Sequence, residues 1–322
     1  MRNFQCSCGQ ILFFENTRCL NCGEEVGFDP LRSTMGPVGG KTVCQNRIDY
    51  DVCNWFVTMP DASYCTSCSL NHTIPNLLAP DRRRWWKNLE HAKRRLIYSL
   101  ISLGLPIVGK QEDENGLAFE FIEDQRTNPR VYEKHVNTGH HNGLITINIA
   151  EADEVNREIS RQYTGELYRT LLGHFRHESG HYYYYLLVVR NGKLGEFREL
   201  FGDESQDYAD ALEQYYAVKS NVIKDPEYIS HYAQSHPLED WAEVWSHYLH
   251  MVDTLDTASV YGMQQGSSSW DDIDELTSKW SELSVMLNAL NRSMGLEDAY
   301  PFTLSELTLR KLRFVHGLIY PD

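Results

Sequence analysis

Apolar and polar positions along the chain change period several times, and each change predicts an element. Residues 82–103 (RRRWWKNLEHAKRRLIYSLISL) repeat apolar positions at the helical period, with Trp85, Leu89, Leu96 and Leu100 among them, and predict an amphipathic helix. Residues 117–122 (LAFEFI) and 144–149 (LITINI) alternate instead, as half-buried strands do. Helical periods dominate the rest, over 153–190, 203–220, 237–257, 271–292 and 304–317, with 264–269 (QQGSSS) as a loop between two of them. No internal repeat or extended low-complexity segment stands out. Pro75 and Pro80 close a cysteine-bearing segment ahead of the first helix. The expected organisation is α+β: a cysteine-rich module over 1–78, then a mainly helical domain with a small sheet over 79–322.

Composition agrees with a folded, non-membrane chain. The 322 residues allow one large domain or a few small ones, and 42% hydrophobic residues suffice for a buried core. No apolar run approaches the roughly 18 residues that span a bilayer. The start, MRNFQCSCGQ, lacks the apolar core of a signal peptide, so a cytoplasmic location with no membrane partner is expected. The formal charge of −15 argues against general binding to nucleic acid or anionic lipid.

That charge is unevenly spread. Residues 1–110 hold 13 basic and 9 acidic side chains, and the remainder holds 17 basic and 36 acidic. The exclusion of nucleic acid is therefore weaker for the first part. Arg82, Arg83, Arg84, Lys93, Arg94 and Arg95 form a basic cluster on the expected helix. It reads as a solvated face or one docked on the acidic part, with a nucleic-acid patch as the alternative.

All eight cysteines fall between Cys6 and Cys68. Cys6, Cys8, Cys19 and Cys22 form two close pairs, and Gly9 and Gly23 follow the second member of each. A trailing glycine suits a tight knuckle, and four thiolates in two pairs suit a tetrahedral zinc ion. Cys44, Cys53, Cys65 and Cys68 form a second set, in which only Cys65 and Cys68 have the C-x-x-C spacing. Two structural zinc ions are expected. Disulfides or free thiols are the alternatives, disfavoured in a reducing compartment, and His72 could replace a cysteine of the second set. A closed four-cysteine site stabilises a short segment and leaves no open position for chemistry. A role in structure or in binding a protein partner follows.

His177-Glu178-Ser179-Gly180-His181 lies within a helical run. Positions i and i+4 share a face, so both imidazoles can reach one metal ion, with Glu178 beside it to accept a proton from water. A catalytic zinc needs a third ligand. The extended pattern with a third downstream His is absent, because Tyr184 and Leu187 stand at its Gly and His positions. The segment from Tyr232 to Glu243 is the best source. Pro237 suits a first helical turn, and Glu239 and Glu243 then lie one turn apart on one face. One carboxylate can bind metal while the other supports a ligand histidine.

This H-E-x-x-H followed by Y-x6-E-x3-E resembles the gluzincin metallopeptidases, including lethal-factor-type toxin proteases and Pro-Pro endopeptidases. The resemblance implies Glu239 as third ligand, Glu243 as support for a ligand histidine, and Tyr232 as donor to the reacting carbonyl oxygen. FQCSCGQILFFENTRCLNCG, YCTSC, TGHHNGLITINIAEADEVNRE, FRHESGHYYY, FRELFGDE and HPLEDWAEVWSHYLHMVDTLDTA also resemble, over nearly the whole chain, a bacterial family of zinc-binding metallopeptidases with an N-terminal zinc ribbon. The implied fold is a zincin-like, mainly helical catalytic domain preceded by a zinc-ribbon module. The implied cofactor is one catalytic and two structural Zn²⁺, and the implied substrate is a protein or peptide.

Other residues are read more plainly. Leu144–Ile149 resembles the cleft-lining edge strand of zincins, or is an ordinary strand. His140, His141 and His174 are read as surface or supporting residues, and His247 as bordering the cleft at most. Tyr182–Tyr185 suits core and cleft wall, and Phe197–Glu204 a brace for the active-site helix. The expected reaction is peptide hydrolysis by a metal-activated water with Glu178 as general base. An isopeptidase or amidase that removes a peptide-like tag, a non-catalytic zinc-ribbon scaffold, and proteolysis near DNA are the alternatives.

Overall fold

The computed structural model describes residues 3–164, 170–217, 225–264 and 270–321. Parts of two expected helices (165–169 and 218–220) and most of the expected loop (265–269) lie outside the described residues. The chain divides into two compact units, Arg2–Ser160 and Arg161–Asp322. The fold is mixed α+β and mainly helical, and no described helix is long and apolar enough to cross a membrane.

The first unit begins with two small antiparallel ribbons. Strands β1 (Phe4–Gln5) and β2 (Ile11–Leu12) pair Phe4 with Leu12, and β3 (Val26–Asp29) and β4 (Thr34–Pro37) pair Val26 with Pro37. A short helix α1 (Gln45–Tyr50) follows. Helix α2 (Pro80–Ser102) matches the expected 82–103 closely. Pro80 opens it and Asp81 sits in its first turn, both favourable at a helix start. Gly104, with φ +65°, ends it, and the Leu105 N–H reaches back to the Leu100 carbonyl at 3.0 Å.

α2 and the cysteine region share one core. Phe14, Phe28, Trp55 and Tyr98 are buried and touch ring to ring, with Phe28 4.8 Å from Trp55 and Tyr98 5.3 Å from Phe14. Tyr98 belongs to α2 and the other three to the cysteine region. Packing therefore carries the first compact unit past the expected boundary at 78–79, to Ser160.

The basic cluster on α2 departs from expectation. Arg82, Lys93 and Arg94 are buried. Arg82 pairs with Glu123. Lys93 meets Glu90 at 3.0 Å, and Arg94 donates to the Val52 carbonyl at 2.6 Å. Arg95 donates to Glu15 at 2.6 Å. Burial of a charge requires such partners, so half of this cluster is internal wiring and not a solvated face.

A four-stranded sheet completes the unit. Its order is β5 (Asn71–Thr73), β6 (Ala118–Ile122), β8 (Leu144–Asn148), β7 (Gly139–His141). The two strands read from the sequence, β6 and β8, lie parallel with Ala118 opposite Leu144. β8 has β6 on one side and antiparallel β7 on the other. β7 covers the outer edge over Leu144–Thr146, so that stretch is not the open edge strand that the zincin resemblance suggested. Asp124, after β6, anchors the following loop by accepting from Arg126 Nε at 2.8 Å, Val136 N–H at 3.0 Å and Asn148 Nδ2 at 2.8 Å. Helix α3 (Glu154–Thr164) crosses the division between the units.

The second unit is helical. It contains α4 (Leu171–Tyr183), which continues as a wider turn over Tyr184–Val189, then α5 (Leu194–Phe201), α6 (Tyr208–Ala217), α7 (Pro237–Val260), α8 (Ile273–Ser293) and α9 (Glu306–Ile319). α7 is the central helix, with 13 buried residues. Lys311 of α9 donates to Asp240 of α7 at 2.6 Å, a buried ion pair. Phe197 and Phe201 of α5 pack on Trp241 of α7.

Candidate metal and catalytic centre

Two helices build the site. Thr170 caps α4, its hydroxyl accepting from the Gly173 N–H at 3.0 Å. His236 caps α7 by accepting from the Leu238 N–H at 3.1 Å, with Pro237 in the first turn. The two middle residues of the His motif lock these helices together. Trp245 donates to the Ser179 hydroxyl at 3.1 Å, and Trp241 donates to the Gly180 carbonyl at 2.7 Å. A β-carbon at Gly180 would sit 3.0 Å from Ala242 Cα. Glycine avoids that tight contact, which a β-carbon would relieve only by pushing α7 back.

That contact brings α4 and α7 side chains to one point. His177 Nε2 lies 2.9 Å from Glu239 Oε2, and His181 Nε2 lies 3.4 Å from Glu239 Oε1. The ligand atoms of all three residues lie within 4.8 Å of one another. A tetrahedral zinc ion bonded to nitrogen and oxygen needs donors about 3.3 Å apart, so this set fits. His177 Nδ1 donates to Glu243 Oε1 at 2.8 Å, leaving Nε2 facing the cluster.

Electrostatics follow from burial. Burial opposes a charged His177, yet Glu239 and Glu243 outweigh it and hold its pKa well above the usual value. Burial pushes His181 down to about 4. Burial also lifts the Glu178 carboxyl to about 7, with His177 opposing and Glu239 adding to the rise. Glu239 lies below the carboxylate range, because His181, His177 and Tyr208 overcome its burial.

Tyr232 sits on a short turn (Tyr232–Gln234) with its ring 5.8 Å from that of His177. The sequence reading missed Tyr208. Its hydroxyl donates to Glu239 Oε1 at 2.6 Å, and no motif marks it because the contact spans 31 residues. His247 instead binds the Tyr300 hydroxyl at 2.7 Å and packs on Phe302.

The cysteines gather into the two expected sets. Sulfur separations are 3.6 Å for Cys6–Cys22, 3.7 Å for Cys8–Cys19 and 3.7 Å for Cys53–Cys65. A disulfide needs about 2.0 Å, whereas four thiolates on zinc stand about 3.8 Å apart. Gly9 and Gly23 adopt φ of +85° and +77°, as the knuckles require. The fold supplies the pairing that spacing left open, with the Cys65 N–H pointing at Cys44 Sγ at 3.5 Å. His72 is not part of this set; it is exposed, and its Nδ1 meets Thr73 Oγ1 at 3.1 Å.

Comparison with known proteins divides the chain between residues 79 and 82. A zinc-ribbon domain model matches twice, over residues 3–42 and 39–79. The cysteine region therefore holds two copies of one motif, a repeat that its unequal spacings conceal. Uncharacterized proteins of Mycobacterium bovis and of two Mycobacterium tuberculosis strains are each 41% identical over 333 residues, covering 99% of this chain and 95% of the relative. No solved structure matches the chain. The family model described as "Putative zinc-binding metallo-peptidase" matches residues 82–318, and the chain belongs to that family.

Proposed function

We propose that this protein is a zinc-dependent metallopeptidase that hydrolyses peptide bonds, with His177, His181 and Glu239 as metal ligands and Glu178 as general base. The observation that carries the reading is the convergence of His177 Nε2, His181 Nε2 and the Glu239 carboxylate, with His177 Nδ1 tied to Glu243. Zinc bound there supplies Lewis acidity, which activates water and polarises a carbonyl. The protein's own groups do the rest. Glu178, buried and raised to about 7, accepts the proton of the attacking water and passes it to the leaving amine. The Tyr232 hydroxyl donates to the carbonyl oxygen as negative charge grows on it. The two cysteine sets hold one structural zinc each, and their module binds or orients the protein substrate.

The decisive test is Glu178→Gln. It should keep its zinc and lose at least about 100-fold in turnover. Wild-type hydrolysis of a validated substrate by this variant would remove Glu178 as the base. The same inactive variant should retain its substrate in a pull-down, and the captured linkage separates a peptidase from an isopeptidase. A scaffold would work unchanged with Glu178 replaced.

A further inference from the structure

We infer that Tyr208 is a positioning residue of the metal centre, holding the Glu239 carboxylate through its hydroxyl. The inference rests on the metal-site part of the proposed function, not on peptide hydrolysis. Glu239 is buried, and its two oxygens have different partners. Oε2 lies against His177 Nε2 at 2.9 Å, while Oε1 accepts from the Tyr208 hydroxyl at 2.6 Å and lies 3.4 Å from His181 Nε2. A carboxylate on a two-bond stem can rotate. A second hydrogen bond fixes its plane, and this is how outer partners tune a metal ligand.

Helix α6 makes the point sharper. None of its residues is buried. Tyr208, its first residue, is 43% exposed and yet directs its hydroxyl onto a carboxylate that is 1% exposed. The Tyr208 ring also packs edge-on against His236, the residue that caps the Glu239 helix, at 5.1 Å. Tyr215, two turns along α6, packs on the Tyr232 ring at 6.0 Å. Tyr208 thus touches the ligand and the cap of the ligand's helix, and Tyr215 of the same helix touches the proposed oxyanion donor. No other described residue of α6 hydrogen-bonds to Glu239 in this way.

The test measures zinc affinity, with no substrate required. Zn²⁺ competition titrations against a chromophoric chelator would compare the full-length wild type with Tyr208→Phe, Tyr232→Phe and Glu239→Ala. Glu239→Ala defines the loss of the third zinc. Tyr208→Phe keeps the ring and should weaken the third zinc by about 10-fold, leaving both cysteine sets loaded. Tyr232→Phe should leave zinc affinity within twofold. A change below threefold in a folded Tyr208→Phe protein overturns the inference, as does an equal loss in Tyr232→Phe. If Tyr208→Phe fails to fold, 3-fluorotyrosine at position 208 preserves shape and alters donor strength. A shifted zinc affinity then supports the inference, and an unchanged one overturns it. An inactive Glu178→Gln protein with normal zinc affinity would leave this comparison intact, so the two readings fail separately.

Discussion

Gly180 meets Ala242 where α4 crosses α7, and a β-carbon on Gly180 would stand 3.0 Å from Ala242 Cα and 3.1 Å from the Trp245 ring. Both neighbours are fixed, one by backbone and the other by its bond to Ser179. Gly180→Ala should therefore cost about 1–3 kcal/mol by overpacking, seen as a lower denaturant midpoint. Gly195→Ala, on α5 with nothing within 4 Å, should be neutral or gain up to about 1 kcal/mol. Equal effects at the two sites would show that the close crossing is unimportant.

Metal content separates the three proposed sites. Glu239→Ala should lower zinc from three ions per chain to two, because it removes a donor from the cluster of His177, His181 and Glu239. Glu243→Gln should retain the third zinc with about 10–100-fold weaker affinity, because it alters only the partner of His177 Nδ1. Elemental analysis and chelator competition read the two outcomes. Unchanged zinc in Glu239→Ala would remove it from the ligand set.

Arg94 is 2% exposed, donates to the Val52 carbonyl at 2.6 Å and lies 3.9 Å from buried Glu90. Arg94→Ala should destabilise the first unit by about 3–5 kcal/mol, since it leaves a buried carboxylate undercompensated. Equilibrium unfolding followed by tryptophan fluorescence checks this, through Trp55 and Trp86. A surface basic patch would predict a change within about 0.5 kcal/mol.

Asp124 is buried, which opposes its charge, but Arg126 and the Val136 N–H hold its pKa down at about 2, from 3.8. A depressed carboxylate stabilises the fold above its unfolded pKa and loses that contribution as pH falls through the folded value. The pH window is thus about 4 down to 2, with up to about 2 kcal/mol at neutral pH. Asp124→Asn should be less stable at pH 7, and its stability should fall less steeply through that window. Parallel pH profiles for the two proteins would exclude the effect.

Much of this architecture is legible in the residue order. The period of 82–103 places α2 because one long helix needs only local apolar repeats and a proline start. The alternation of LAFEFI and LITINI places β6 and β8. His177 and His181 share a face by helical geometry alone, and Pro237 announces the helix that carries Glu239 and Glu243. The cysteine sets are visible as clusters, though the twofold ribbon repeat is not, because eight residues separate Cys44 from Cys53.

What the order of residues determined, then, is the long helices, the strands β6 and β8 and the chemistry they carry, since periodicity, caps and ligand types are local properties; the short ribbons, α1, β5 and β7 were not marked by it. Tertiary structure alone decided which elements meet. It buried Arg82, Lys93 and Arg94, whose charges read as surface, because partners such as Val52 and Glu123 lie about 40 residues away. It paired β8 with β6 on one side and, over Leu144–Thr146, with β7 on the other. It brought Glu239 to His177 across 62 residues and Tyr208 to Glu239 across 31. These are contacts between helices, set by the close packing of Gly180 on Ala242 and by the indole bonds of Trp241 and Trp245. No local pattern encodes them, because side-chain packing is resolved only when the faces are pressed together.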